Sequence, residues 1–180
     1  QAGSLSAPSA VATIMSNLGL ERRLKESGIG LERTTVGDRY VVERMREIGS
    51  NVGGEQSGHV VLLDHATTGD GLVAALQILA TCVKTQAPVS DVCYQFEPAV
   101  QMRHDVHFGG VCPLELAPVQ DAIARARSRA EDKAHIVVRP SGTEPLVRVM
   151  VQSYETSLAA SLSEELADII SQHAAGAAAE

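Results

Sequence analysis

Apolar positions along this 180-residue chain change their spacing several times, and each change marks an element. Residues 10–15, Ala-Val-Ala-Thr-Ile-Met, form a short apolar run that predicts a buried strand, after a loop over residues 1–9. Ser16 and Asn17 then offer capping oxygens to a helix carrying Leu18, Leu20 and Leu24, and Gly28 and Gly30 end it. Residues 31–36 read as a second strand. Gly37-Asp38 opens another helix, with Val41, Met45 and Ile48 on one face and Gly49 placed to close it. A glycine-rich stretch over residues 53–59 leads into the apolar strand 60–63. Thr67-Thr-Gly-Asp-Gly71 precedes a helix reaching about residue 85, whose Leu72, Ala75, Leu76, Leu79 and Val83 make one apolar stripe. Pro88 and Ser90 break that pattern, and a short helix follows over residues 91–94.

The second half has a different rhythm. Residues 99–108 alternate like a half-exposed strand, Gly109-Gly110 turns the chain, and residues 117–130 read as a helix with Val119, Ile123 and Ala126 inward. Two β-branched runs, 135–139 and 146–152, predict paired strands. A helix over residues 156–173 places Leu158, Leu162, Leu166, Ile169 and Ile170 on its buried side, and an Ala- and Gly-rich tail frays beyond it. The expected architecture is an α/β domain with a mixed sheet over residues 1–90. A small α+β domain with an antiparallel sheet and two helices follows over residues 91–180.

Composition narrows the function. Asp and Glu number 22 against 15 Lys and Arg, a net charge of -7, which argues against a nucleic-acid surface. No apolar run approaches the ~20 residues of a membrane span, so no membrane partner is expected and the cytoplasm is the default location. Three widely spaced cysteines without a CxxC pair suggest neither a disulfide framework nor a zinc site. With three Tyr, two Phe and no Trp, the core must be aliphatic.

Two loops carry candidate chemistry. Between the paired strands lies Arg139-Pro-Ser-Gly-Thr-Glu-Pro145, with Arg148 on the following strand. Gly142 allows a turn whose N–H groups face an anion, Ser141 and Thr143 add hydroxyl donors, and Arg139 and Arg148 bring guanidinium forks suited to phosphate. Val147, Val149 and Val151 take the core side of their strand, which leaves Arg148 on the opposite one. An ordinary hairpin with an arginine at each end fits the same pattern. In Gly54-Glu-Gln-Ser-Gly-His59, Glu55 and Ser57 stand two apart and share a side, a natural pair for adjacent sugar hydroxyls. His59 beside them is a candidate phosphate ligand or acid/base. A glycine-rich β-turn with incidental polar residues fits that loop equally. Asp70 fits a helix cap better than a catalytic role. His104 and His107 face opposite sides of a strand and do not suit a shared metal.

Together these loops resemble the α-D-phosphohexomutase superfamily. Met15-Ser-Asn-Leu-Gly19, Val36-Gly-Asp-Arg-Tyr-Val41, Thr67-Thr-Gly-Asp-Gly71 and Leu146-Val-Arg-Val-Met-Val151 agree with it, so the likeness runs from Ala10 to about Ile170. The resemblance implies a sugar-recognition loop in the family's third domain, with Glu55 and Ser57 on substrate hydroxyls and His59 beside them. It implies a phosphate-binding loop in the fourth domain, with Arg139, Ser141, Gly142, Thr143 and Arg148 on the substrate's phosphate. The implied activity is phosphoryl transfer between positions of a phosphorylated hexosamine or hexose. Glucosamine 6-phosphate and glucosamine 1-phosphate are the favoured pair, and mannose or glucose phosphates the alternatives. A sugar-phosphate-binding module without turnover is the alternative outside the family's chemistry.

The family works through a phosphoserine on its first domain and Mg²⁺ held by an Asp-rich loop on its second. This chain has no Asp-x-Asp-x-Asp run and no Thr-Ala-Ser-His-Asn-Pro loop. The resemblance therefore implies catalytic serine, metal ligands and N-terminal domains outside these residues, and a fragment inactive by itself. Thr35 stands where many relatives carry Lys just before the Val-Gly-Asp-Arg-Tyr stretch. The resemblance also places the start of the chain after the third domain's first strand and helix, which predicts an open sheet edge or a homodimer closing it.

Overall fold

A computed structural model describes residues 5–176, and they divide into two compact units that part between Pro98 and Ala99. That division lies further along than residues 90/91, because Phe96 and the Glu97 carbonyl still lie against Gly19 of the first unit.

In the first unit, β1 (Ser9–Thr13) pairs in parallel with β2 (Gly30–Thr34) on one side and β3 (Val52–Gly54) on the other. The fourth strand, β4 (Val60–Leu62), runs antiparallel to β3, so the sheet is mixed, in the order β2-β1-β3-β4. β1 is thus an interior strand, and the edges fall at β2 and β4. Helix α1 (Leu18–Glu26) begins where the Asn17 side chain accepts from the Gly19 N–H. Helix α2 (Asp38–Ile48) ends at Gly49, whose φ of 71° is the left-handed cap expected there. Its Val41 and Met45 close a small core with Val11 and Val61.

Helix α3 (Gly71–Thr85) starts at Asp70, whose carboxylate accepts from the Leu72 and Val73 N–H groups, so Asp70 is a cap. The apolar stripe of α3 has the spacing read from the sequence but not the burial. Leu72 and Val83 are each 79% exposed and Leu76 is 63% exposed, and none of the helix's residues is buried. Periodicity fixes which residues share a face, while burial needs a partner element, and the described residues supply none for this face. A short helix α4 (Val89–Cys93) completes the unit.

The second unit is a three-stranded antiparallel sheet in the order β5-β7-β6: β5 (Val100–His107), β6 (Ala134–Pro140) and β7 (Leu146–Ser153). One face carries α5 (Ala117–Ala130) and α6 (Thr156–Gly176). Val147, Val149 and Val151 pack there with Val119, Ile123, Leu162, Leu166 and Ile170 in one aliphatic core. Arg129 of α5 and Glu165 of α6 add an ion pair between the helices. His104 points to the helix side, with Nε2 3.3 Å from Ser163 Oγ, while His107 is exposed. Residues 177–180 of the expected tail lie outside the described residues. Among the described residues no helix is long and apolar enough to cross a membrane.

Candidate functional site

The sugar-type loop closes the β3–β4 hairpin. Glu55 N donates to the His59 carbonyl at 2.9 Å and Gly58 N to the Glu55 carbonyl at 3.1 Å, folding residues 55–59 into a tight turn. Gly58 takes a φ of 99°, which a side chain would resist. A Cβ on Gly54 would stand 2.6 Å from the His59 carbonyl oxygen, so the hairpin can close this tightly only over a glycine.

The turn gathers the three side chains named from the sequence. Ser57 Oγ donates to Glu55 Oε2 at 3.2 Å and lies 3.1 Å from His59 Nδ1. His59 Nδ1 lies 3.6 Å from Glu55 Oε2. Glu55 is the anchored member, its side chain 10% exposed against 57% for His59, because Oε1 accepts the Gly37 N–H at 2.8 Å. That backbone donor at the start of α2 is a contact no pattern of residue types announces. A hollow of about 400 Å³ opens beside the turn, lined by Thr13, Met15, Val36, Glu55, Gln56 and Ser57. Its lining combines a carboxylate and hydroxyls with the apolar atoms of Met15 and Val36, a composition that suits a sugar.

In the second unit the register decides the geometry. Arg139 on β6 lies directly opposite Arg148 on β7, which lies opposite Asp105 on β5. Cross-strand neighbours of this kind hold Cβ atoms ~5 Å apart, so two guanidinia meet on the sheet face away from the helices. The Nε atoms of both Arg139 and Arg148 are buried without a hydrogen-bond partner among the described residues. Burial, then the positive charges of Arg148 and Arg103, push the Arg139 guanidinium below its ordinary pKa, though an arginine stays charged at any ordinary pH. Two buried donors side by side, both short of an acceptor, suit a tetrahedral oxyanion.

The loop itself works differently from the sequence reading. Ser141 N–H is spent on the Leu146 carbonyl at 2.8 Å, which closes the hairpin, so it does not face outward. Gly142 has its φ outside the left-handed region, and a Cβ there would meet nothing within 4 Å. Neither backbone conformation nor packing requires a glycine at 142. Ser141, Gly142 and Thr143 line the exposed turn beside the arginine pair, with Thr143 N 3.5 Å from Ser141 Oγ. A hollow of about 550 Å³ in this unit opens between β5 and α6 and is lined by none of Arg139, Ser141, Thr143 or Arg148.

Sequence reasoning missed three charged neighbours of the arginine pair. Glu144 reaches Arg148 at 3.5 Å. Arg103 grips Asp105 with two bonds, Nε to Oδ1 at 3.0 Å and Nη2 to Oδ2 at 2.5 Å. The available signal was the i, i+2 spacing of Arg103 and Asp105 on a strand, which puts both on one face.

A mixed-sheet α/β unit with a Glu-Ser-His turn is thus followed by an α+β unit with a cross-strand arginine pair. Family models place this arrangement: residues 1–99 match the phosphoglucomutase/phosphomannomutase alpha/beta/alpha domain III and residues 105–169 the C-terminal domain, and the chain belongs to that family. It is 52% identical over 168 residues to the phosphoglucosamine mutase of Novosphingobium aromaticivorans, covering 93% of this chain and 38% of that protein. The phosphoglucosamine mutase of Caulobacter vibrioides is 52% identical over 170 residues, covering 94% of this chain and 38% of the relative. The chain thus spans less than two-fifths of the length of these relatives. Among solved structures, N-acetylphosphoglucosamine mutase of Aspergillus fumigatus matches with a TM-score of 0.76 at 18% identity, over 96% of this chain and 40% of that one. A structure of that fungal enzyme in complex with GlcNAc-6P and magnesium matches with a TM-score of 0.73 at 16% identity, over the same shares. At these identities the structural likeness establishes the fold.

Proposed function

We propose that this chain is the sugar- and phosphate-binding portion of a phosphosugar mutase that interconverts glucosamine 6-phosphate and glucosamine 1-phosphate. The observation that carries the phosphate half is the pair of buried, unpartnered guanidinium Nε atoms of Arg139 and Arg148. The choice of glucosamine rests on relatives at about half identity that bear the name phosphoglucosamine mutase. Glu55 accepts a sugar hydroxyl, Ser57 donates to or accepts from its neighbour, and His59 stands within reach of both. Arg139 and Arg148 bind phosphate oxygens, and the hydroxyls of Ser141 and Thr143 supply the remaining donors.

Phosphoryl transfer needs positioning and charge stabilisation more than covalent chemistry from the protein. These residues bind and orient; the phosphoryl donor is a serine outside this chain. Among the described residues no three His, Cys, Asp or Glu side chains converge to hold a metal ion, so the Mg²⁺ implied by the family is assigned no residue here.

Isothermal titration of the chain with glucosamine 6-phosphate, glucose 6-phosphate and mannose 6-phosphate tests the reading. Binding is strongest for the glucosamine ester, and Arg148→Ala costs ~1.5–3 kcal/mol, the worth of a charge-assisted contact. The chain alone shows no turnover, and addition of the separately produced N-terminal portion of a phosphoglucosamine mutase restores it. Absence of binding to all three esters, or an Arg148→Ala variant with wild-type affinity, refutes the proposal.

A further inference from the structure

The cross-strand row on the sheet face away from the helices does not consist of arginines alone. Asp105 occupies its third place, directly opposite Arg148, and Arg103 lies one row away on the same face, opposite Met150. A site built only to hold a dianion has no use for a carboxylate at that distance, since like charges so placed repel. Neither is Asp105 needed to fill the core, for its side chain is 32% exposed. Its partner is explicit. The two-bond grip of Arg103 keeps the Asp105 carboxyl below the ordinary aspartate pKa, with the charge of Arg148 acting in the same direction. Three guanidinia therefore face two carboxylates, Asp105 and Glu144, and the net positive charge offered to a ligand is small.

We infer that Asp105, held by Arg103, is a positioning residue that tempers the affinity of the Arg139–Arg148 pair for phosphate, so that a bound phosphate is released as readily as it is taken up. The inference rests on the phosphate-binding reading given above. Two adjacent guanidinia on one sheet face repel each other, and a carboxylate at the end of the row relieves that repulsion while no phosphate is bound. When a phosphate binds, the same carboxylate is a like charge a few ångströms away. Arg103 neutralises much of it. A chain that must bind, release and rebind a phosphate monoester has a use for this restraint, because uniform tight binding slows departure.

The sign of the effect separates this role from a structural one. Titration of the chain with inorganic phosphate and with glucosamine 6-phosphate at low salt gives the readout. Asp105→Asn removes the like charge and tightens both by about 3–10-fold. Asp105→Glu restores wild-type affinity. Arg103→Ala leaves the carboxylate uncompensated and weakens binding by a similar factor, and this loss disappears in the Arg103→Ala/Asp105→Asn double variant. A purely structural Asp105 gives weaker or unchanged binding on replacement by Asn, and either result overturns the inference. Additive effects of the two substitutions overturn it as well. If Arg148→Ala abolishes binding while Asp105→Asn leaves it at the wild-type value, the tempering role fails and the phosphate site stands. If Arg148→Ala changes nothing, both fall.

Discussion

Adding one methyl group at Gly53 tests how the first unit is held together. A Cβ there would lie 2.5 Å from Met45 Sδ, 2.9 Å from Val41 Cγ1 and 3.0 Å from the Val11 carbonyl oxygen. Met45 and Val41 are fully buried and Val11 is 1% exposed, so nothing nearby opens onto solvent. The thioether of Met45 is flexible and can swing aside. Val41 is β-branched on a helix and holds one rotamer, and the Val11 oxygen belongs to a strand paired on both sides. Overpacking of this kind costs ~1–3 kcal/mol, and two unyielding contacts out of three place it in the upper half of that range. Replacing glycine by alanine in a strand returns ~0.5–1 kcal/mol of backbone entropy. The net loss is ~1–2.5 kcal/mol, and it falls on a small core in which, among the described residues, Val11, Val41, Met45 and Val61 are the buried members. Hydrogen exchange followed by mass spectrometry reads the two units separately. In Gly53→Ala, peptides covering β1, α2 and β4 exchange roughly 5- to 70-fold faster, while peptides covering β6 and β7 keep wild-type rates. Unchanged or slower exchange in β1 refutes the packing argument.

Gly142→Ala gives the opposite result: stability stays within ~0.5 kcal/mol of wild type by urea unfolding, because the position is open and unstrained. Its phosphate affinity falls, since the methyl occupies the space beside the arginine pair, and wild-type affinity would remove Gly142 from the site. The uncovered stripe of α3 promotes association of the chain with itself, seen as a sedimentation coefficient that rises with concentration. Leu72→Lys together with Leu76→Lys suppresses that rise, and persistence of the rise in the double variant assigns the association to another surface.

Much of this fold is legible from residue spacing. Asn17, Asp70 and Gly49 cap the helices that they precede or follow, because caps depend on chemistry within a few residues. The valines of β7 turn inward as their alternation demands. The Glu55–Ser57–His59 cluster is legible too, since a tight turn brings i and i+2 together. What spacing cannot give is register between strands distant in sequence. Asp105 stands opposite Arg148 only because β5 pairs with β7 as an edge strand, and nothing in residues 100–107 specifies that alignment. The exposure of α3 was equally out of reach, because an apolar face is visible in a sequence and its cover is not. At Gly142 the sequence suggested a conformational need that the backbone does not have.

The bond from the Gly37 N–H to Glu55 Oε1 has a consequence for selectivity. One oxygen of the carboxylate already accepts from the main chain, which fixes the plane of the group and leaves Oε2 as the oxygen without a backbone donor. Ser57 already donates to that oxygen, so an arriving hydroxyl must share it or displace the serine proton. Under the proposed sugar-binding role, the turn holds its carboxylate in one plane with an internal competitor at Oε2, and so reads the direction of an arriving hydroxyl instead of counting how many a ring carries.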